Sequence, residues 1–576
     1  MFFADRGKTI RPFTAMKKKA KPAGLTRPAV SGACFFLLLA SSFPCALSAQ
    51  ETSSSWQAEF TELTVEIDPV LRLMKGDARL QLSNPGAGSE DIHLDLSHQL
   101  DVESVSDEGG RPLPFERKAG SLVIHRRGPP NAKGTVTLRI QYQGSFHERI
   151  PELDLHHAWI DTRIAYAFYS SRWYPQPPAP QRRSRGRITY VVPRDWVVAS
   201  SGTLTATETP PGAKRFVFTI STPVEFSFAA AAFAHQRERI AGLEMGVFLL
   251  GGGADKIRFY QENGAALVRY FRELYGFFPY EGFHIIEIPA DLLGKASAGS
   301  YEGLTFFSSA IMPDRFFYTT VFAHEISHCW WGNCVSGAEG AVINEGLAQV
   351  SMGLYLEQVF GSGFLWNLLK NGSGEYFFLH SARMFFRALQ SPRIQDRTLE
   401  SLLFRGEDLE LGKAAAGKFA TLHMLASSKG FFVYAMLREL IGPKAFRQGL
   451  RGALAANAWK TMTLEDLRVQ FERASGRDLK WFFDQWFLRK GAPEFSMACT
   501  VTPRHNKVWV VRGTISQLRD VYRVKAEIVA ANRSFRDSKT IEIRSRETPF
   551  AFLLPFKPLS VRFDPDYKIL RWSEQF

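Results

Sequence analysis

The chain has 576 residues, 45% of them hydrophobic and 13% aromatic. That is more than one hydrophobic core ordinarily serves, so it predicts about two to four folded domains and excludes a disordered or collagen-like polymer. The formal charge of +14 divides in two: residues 1–49 hold eight Lys/Arg and one Asp, and the other +7 is spread over more than five hundred residues without a basic stripe. Nucleic acid is therefore not an expected partner.

At the start, the basic "MKKKAKPAGLTRP", the apolar run "ACFFLLLASSFPCALSA" and the polar "QETSSS" follow the order of an export signal. The small residues at the end of the run predict cleavage near Ser48 or Ala49 and an exported protein, periplasmic or secreted. An uncleaved, membrane-anchoring segment 1–49 is the alternative, because the run is near the lower length limit for spanning a bilayer. No later stretch is long enough to span, so the body of the protein is expected to be soluble. Neither Cys34 nor Cys45 stands in a lipidation context. Cys329, Cys334 and Cys499 remain after the signal, an odd number that is no disulfide framework, so free packed thiols are expected, with one local bridge as the alternative.

Residues 50–240 read as an N-terminal antiparallel β domain: "ELTVEID", "DIHLDLS", "TVTLRIQY" and "RITYVVP" alternate apolar and polar side chains between Gly, Pro and Asn turns. Residues 241–495 change period. "FYQENGAALVRYFRELYG" has apolar positions at helical spacing and closes on Gly276, and "PKAFRQGLRGALAAN" continues the pattern. "TLEDLRVQFERASG" carries a capping pair, Thr463 and Asp466, and a stop at Gly476. "DLKWFFDQWFLRKGAP" completes this mostly helical region. Alternation returns in "RVKAEIV", "TIEIRS" and "FAFLLPF", which predict a small C-terminal β-sandwich over residues 496–576. The fold class expected is multidomain α+β, in the order β, mostly α, β.

The chemistry sits in "HEISHCWWGNCVSGAEGAVINEGLAQ", residues 324–349. His324 and His328 are four apart, so on a helix both imidazoles face one ion. "TTVFAHEISHCWWG" lacks proline, is apolar around the motif and has a natural stop at Gly332-Asn333. Glu325 lies one step round the helix, placed for a metal-bound water and not for the metal. The amphipathic "INEGLAQVSMGLYLEQ" presents Glu345 near its start as a third ligand. Two histidines and a glutamate leave a fourth position open, the arrangement of catalytic zinc; a structural site would be closed by a fourth side chain.

"HEISHCWWGN" followed by "NEGLA" resembles the metal segment of the aminopeptidase N-type zinc metallopeptidases, the family that includes leukotriene hydrolase. "SSRWYPQPP" and "VVASSGTL" are similar to that family's amino-terminal domain, "DLRVQFERASGRDLKWFFDQWFLRKGAPEF" to its closing helices and "VRFDPDYKILR" to the end of its third domain. The resemblance implies a thermolysin-like catalytic domain holding one Zn2+ on His324, His328 and Glu345. It also implies Glu325 as general base and proton shuttle, and removal of amino-terminal residues from peptides. "GSYEG", residues 299–303, falls where the family has its Gly-x-Met-Glu-Asn signature; Gly299 and Glu302 match, which implies Glu302 as the anchor for a substrate α-ammonium. A solvent-facing loop glutamate is the plain alternative.

The sequence departs from the family in three ways. Sixteen residues separate His328 from Glu345, two fewer than the family pattern, a change that the Gly-rich "GNCVSGAEG" can absorb; Glu339 is the alternative ligand. The family's transition-state tyrosine falls at Ala415, with Tyr376 and Tyr301 as substitutes if folding brings them in. The sequence also stops after the third domain, so a more open cleft is expected. His156, His157, His380 and His423 have no partner spacing and read as packed or surface residues. Two other functions stay open: a zinc hydrolase of another specificity, such as an endopeptidase, and a peptide-binding protein that keeps zinc for structure.

Overall fold

The computed structural model describes residues 56–571, apart from longer stretches at 362–409 and 413–424, short ones at 85–90, 127–133, 152–153, 180–181, 295–297 and 313–314, and positions 119, 241, 506 and 567. Strands β1 (Gln57–Asp68) and β2 (Leu73–Ser83) alternate buried and exposed residues along their length. Leu63, Val65 and Ile67 thus share a buried face with Met74, Leu80 and Leu82. They join β3 (Asp101–Asp107), β4 (Thr135–Ser145), β5 (Ser184–Pro193), β6 (Thr203–Glu208) and β7 (Ala213–Val224) in a seven-stranded sheet ordered β6-β7-β5-β1-β2-β4-β3. One pairing departs from the antiparallel expectation: β1 and β5 run parallel, with Leu63 opposite Ile188.

The sheet that carries the site begins at Ala234, ahead of the helical region read from the sequence. It contains β8 (Ala234–Ile240), β9 (Leu243–Leu249), β10 (Gly282–Ile288), β11 (Ala298–Tyr301) and β12 (Leu304–Ser308), ordered β8-β9-β10-β12-β11. β9, β10 and β12 run parallel, whereas β11 returns antiparallel to β12 as an edge strand. Every residue of β10 is buried, because helices cover this sheet. Helix α1 (Ala254–Tyr275) ends where Gly276 takes φ +95° and donates its N–H to the Arg272 carbonyl.

Against the sheet lie α2 (Arg315–Ser327) and α3 (Ala341–Phe360), followed by α4 (Phe431–Ile441), α5 (Pro443–Asn457), α6 (Leu464–Ser475) and α7 (Lys480–Trp486). α6 opens on the capping box expected of Thr463 and Asp466 and closes on Gly476 at φ +66°. Two three-stranded sheets then form the C-terminal sandwich from β13 (Phe495–Pro503), β14 (Trp509–Gln517), β15 (Val524–Ala531), β16 (Arg536–Ile543), β17 (Glu547–Leu554) and β18 (Ser560–Phe563). Their orders are β13-β14-β17 and β16-β15-β18. The multidomain α+β order read from the sequence is therefore the order of the fold.

Candidate metal centre

Helix α2 ends at Ser327, before the Gly332-Asn333 stop expected of it. The chain then tightens: His328 N–H reaches the Glu325 carbonyl at 3.2 Å and Cys329 N–H the Ile326 carbonyl at 3.1 Å, three residues back instead of four. His328 therefore stays on the face of His324. Gly332, at φ +104°, turns the loop so that its N–H meets the Val335 carbonyl at 2.8 Å. Asn344 accepts the Gly337 N–H at 2.9 Å, and Ser327 Oγ bridges the His324 carbonyl (2.7 Å) and the Ala348 carbonyl of α3 (3.2 Å). These bonds fix the two metal helices to each other, so the two-residue shortening is taken up by the loop.

Nε2 of His324 and Nε2 of His328 lie 3.0 Å apart, and Glu345 Oε2 lies 3.4 Å from the first and 3.8 Å from the second. Donors bonded to one tetrahedral ion at about 2.0–2.1 Å stand about 3.3–3.4 Å from one another, so the three atoms already describe three corners of a zinc site. All three residues are buried. Glu339 stands elsewhere: its carboxylate accepts the Leu464 N–H at 3.0 Å, at the start of α6, which removes it as the alternative ligand.

The surroundings suit a cation. His328 Nδ1 donates to the Trp331 carbonyl at 2.8 Å, leaving the Nε2 lone pair for a metal. Gln349, one turn beyond Glu345, lies close enough to His324 to act on its titration. Burial pushes His324 down to about 3 and His328 down to about 4; the nearby Gln349 side chain opposes this at His324 and the Glu345 charge opposes it at His328. Both imidazoles are thus neutral, as ligands must be.

Glu325 is fully buried, and among the described residues neither of its oxygens has a hydrogen-bond partner. Burial, then the charge of Glu345, holds its carboxyl well above the usual range. An orphaned carboxylate beside three convergent donors is costly in a protein interior unless a cation or an ordered water completes it.

Tyr301, at the end of β11, lies near enough to Glu325 for that charge to raise its phenol further above its ordinary value, after the larger effect of burial. Its ring stacks on Phe168 at 4.1 Å. It is the one of the two substitute tyrosines that the structure describes; Tyr376 and Ala415 lie outside the described residues, as do His380 and His423. Cys329 and Cys334 are buried free thiols, and Cys499 is free and partly buried. His157 is packed, with burial pushing it down to about 4, and His156 lies edge-on to Trp159 at 4.6 Å.

Glu302 is not the solvent-facing loop residue of the plain alternative. It is buried in the β11–β12 turn at φ +45°, next to Tyr301 and three residues after Gly299 but turned to a different set of partners. Its Oε1 accepts from Arg183 Nε at 2.7 Å, and its Oε2 accepts the Glu225 N–H. Arg183 also donates to the Asn333 carbonyl and lies over the Trp459 ring. The signal that could have pointed to Arg183 is the paired "RR" just before β5, but nothing local ties it to residue 302.

Residues 308–486 match the model of the Peptidase family M1 domain. A "Probable aminopeptidase 2" of Sulfurisphaera tokodaii is 20% identical over 452 residues, 75% of this chain and 53% of the relative. "Aminopeptidase M1" of Arabidopsis thaliana is 23% identical over 341 residues, 56% of this chain and 36% of the relative. The chain therefore spans about half or less of the length of these curated relatives. Among solved structures, Legionella pneumophila aminopeptidase A in complex with aspartic acid aligns with a TM-score of 0.68 at 16% identity, covering 92% of this chain and 60% of that one. The E323A mutant of an M1 zinc metallopeptidase from Deinococcus radiodurans aligns at 0.59 and 17%, covering 76% and 95%. These likenesses concern the fold. The segment that matches the Peptidase family M1 domain model, residues 308–486, takes in both metal helices, in keeping with the resemblance of the motifs.

Proposed function

We propose that this protein is a zinc-dependent peptidase that removes amino-terminal residues from peptides. The observation that carries the reading is the convergence of His324, His328 and Glu345 beside the orphaned carboxylate of Glu325. His324, His328 and Glu345 would hold one Zn2+; when bound, it supplies Lewis acidity and lowers the pKa of a coordinated water towards about 7. Glu325 takes a proton from the attacking water and returns it to the leaving amine, a role its raised carboxyl pKa suits. Tyr301 offers a hydroxyl to the oxygen that gains charge. β11 is the terminal strand of its sheet, and an extended substrate would pair with its backbone N–H and C=O groups in the manner of an added strand.

Glu325→Gln tests the reading. Turnover of aminoacyl reporter substrates should fall by about a hundredfold or more while metal content stays at one ion per chain. Unchanged turnover would assign the activity to another site. Unchanged peptide affinity, with no turnover in either form, would favour a peptide-binding protein.

One observation supports a second specificity. The Glu302 carboxylate already holds Arg183, so a peptidase that needs no free α-ammonium, an endopeptidase among them, fits the site as it stands. Paired peptides with free and acetylated amino termini separate the two. We further propose that the protein is exported to the periplasm or the medium on the strength of residues 1–49, which lie outside the described structure. An uncleaved anchor is the alternative, and the amino terminus of the purified protein decides between them.

A further inference from the structure

The C-terminal sandwich has two unlike ends. At one end it is fastened to α7: Gln485 Nε2 donates to the Arg523 carbonyl at 2.9 Å, Gln485 Oε1 accepts the Arg523 N–H at 2.6 Å, and Trp486 packs on Tyr522 at 5.1 Å. The opposite end gathers three loops, residues 504–508, 532–535 and 555–559. The register requires this, because Pro503 pairs with Trp509, Trp509 with Leu554 and Ala531 with Ser560. Strands of eight or nine residues place it roughly 25–30 Å from the α7 end.

The free end is apolar at its tips and cationic around them. Phe535 is 59% exposed and Leu559 is 70% exposed. They do not dangle: Phe535 stacks on buried Phe556 at 5.5 Å, Asn532 Nδ2 holds the Lys557 carbonyl at 3.0 Å, and the Leu559 N–H holds the Ala531 carbonyl at 2.8 Å. Arg504, Lys507, Arg533 and Lys557 surround them, all exposed, and among the described residues none lies within 4 Å of a carboxylate. The three loops contain no Asp or Glu.

The charge of the rest of the chain gives this end its meaning. Residues 496–576 hold fifteen Lys and Arg against eight Asp and Glu, a net +7, whereas residues 50–495 hold 48 of each sign. The excess expected to be spread over the body is concentrated in its smallest module. Single exposed apolar residues are ordinary on protein surfaces. Two held rigidly at neighbouring loop tips, among four cations that have no carboxylate partner among the described residues (Lys557 lies over the Trp509 ring at 5.2 Å) and at the end away from the catalytic region, are not.

We propose that this end of the sandwich docks on a membrane surface rich in anionic lipid headgroups. Phe535 and Leu559 enter the boundary between headgroups and acyl chains, and Arg504, Lys507, Arg533 and Lys557 meet the lipid phosphates. A nucleic acid would pair the cations but leave both apolar tips in water. Docked in this way, the end fastened to α7 stays turned from the bilayer.

Local photocrosslinking tests the proposal and does not depend on how residues 1–49 are processed. The full chain carrying Phe535→p-benzoylphenylalanine is irradiated with phosphatidylcholine vesicles with or without phosphatidylglycerol. Lipid adducts should form at least about tenfold more on the anionic vesicles and decline with added salt. They should fall by about tenfold when Arg533→Glu and Lys557→Glu are added to the same chain. The same probe at Val469, exposed on α6, should give few adducts. Equal yields at 535 and 469, or adducts indifferent to phosphatidylglycerol and to the charge reversals, would overturn the proposal. Crosslinks from 535 to a second copy of the chain in place of lipid would also overturn it, giving the surface to self-association. Should the double reversal fail to fold, Lys557→Glu alone on its exposed loop carries the same test.

Discussion

Arg183 donates from Nε to Glu302 at 2.7 Å while a terminal nitrogen of the same guanidinium donates to the Asn333 carbonyl. One side chain from the N-terminal β domain thus holds both the turn beside the edge strand and the loop between two metal-ligating residues. Burial works against its charge, but Glu302 and Glu225 outweigh that and raise the Arg183 pKa. Burial also raises Glu302, against the lowering effect of Arg183.

Breaking this pair is expected to cost stability. The Glu302 side chain is 1% exposed and that of Arg183 25%, so Arg183→Ala leaves a buried carboxylate unpaired and should cost about 3 kcal/mol. Arg183→Ala combined with Glu302→Ala should cost less than the sum of the single changes, because the orphan is then removed with its partner. Denaturant unfolding of the four proteins gives the coupling. If Glu302 instead anchors a substrate amine, Glu302→Gln raises KM for free-amine peptides and leaves acetylated ones unchanged.

Glu345 and Glu339 have opposite expected fates. Glu345→Ala removes one of three convergent donors, and the purified protein should lose most of its zinc by elemental analysis. Glu339→Ala should retain the metal. Its cost falls on the start of α6, where the carboxylate accepts the Leu464 N–H, and the loss of a helix-terminal acceptor there should lower stability by about 1 kcal/mol. Zinc lost from the Glu339 variant and kept by the Glu345 variant would reverse the ligand assignment.

Tyr301, the substitute tyrosine that the structure describes, lies near Glu325 and is proposed to supply the hydroxyl that Ala415 cannot. Tyr301→Phe removes that group and little volume from the aromatic stack on Phe168. The expected result is kcat lowered about a hundredfold with KM little changed, the signature of a donor used only in the transition state. An unaltered kcat would assign the donor elsewhere, and a changed unfolding midpoint would expose a packing role instead.

What the sequence made legible follows from the range of each interaction. His324, Glu325 and His328 are neighbours on one stretch of backbone, and Glu345 follows within two turns of the next helix, so spacing alone brings them together. α5 and α6 are equally local, being bounded by Pro443, Thr463 and Gly476. The five-stranded sheet was hidden because Gly282–Ile288 is buried on both faces and shows no alternation. The parallel pairing of β1 with β5 joins residues 57–68 to 184–193 across the intervening strands, and no turn signals it. Arg183 and Glu302 are 119 residues apart in sequence, and each taken alone is an ordinary charged residue. Glu302 was therefore legible as a motif match, but its partner was not.

His284 gives the last prediction, on pH. It is buried on β10, where Gly246 leaves it room: a Cβ at 246 would stand 2.5 Å from its Nδ1. Among the described residues neither ring nitrogen has a hydrogen-bond partner, and Glu244 at 3.9 Å is the nearest acid. Burial, with a smaller push from Arg237, drives its pKa from an ordinary 6.5 down to about 3. Between those values the unfolded chain binds a proton at this position that the folded chain refuses, so stability must fall as pH falls from about 6.5 towards 3. Over the span from 6.5 to 5 this one group accounts for about 2 kcal/mol, at 1.36 kcal/mol per unit. His284→Gln cannot take up that proton. Its stability deficit against the parent, measured by urea unfolding, should therefore shrink by about this amount between pH 7 and pH 5; a deficit constant over that range would mean that the imidazole is protonated in the fold.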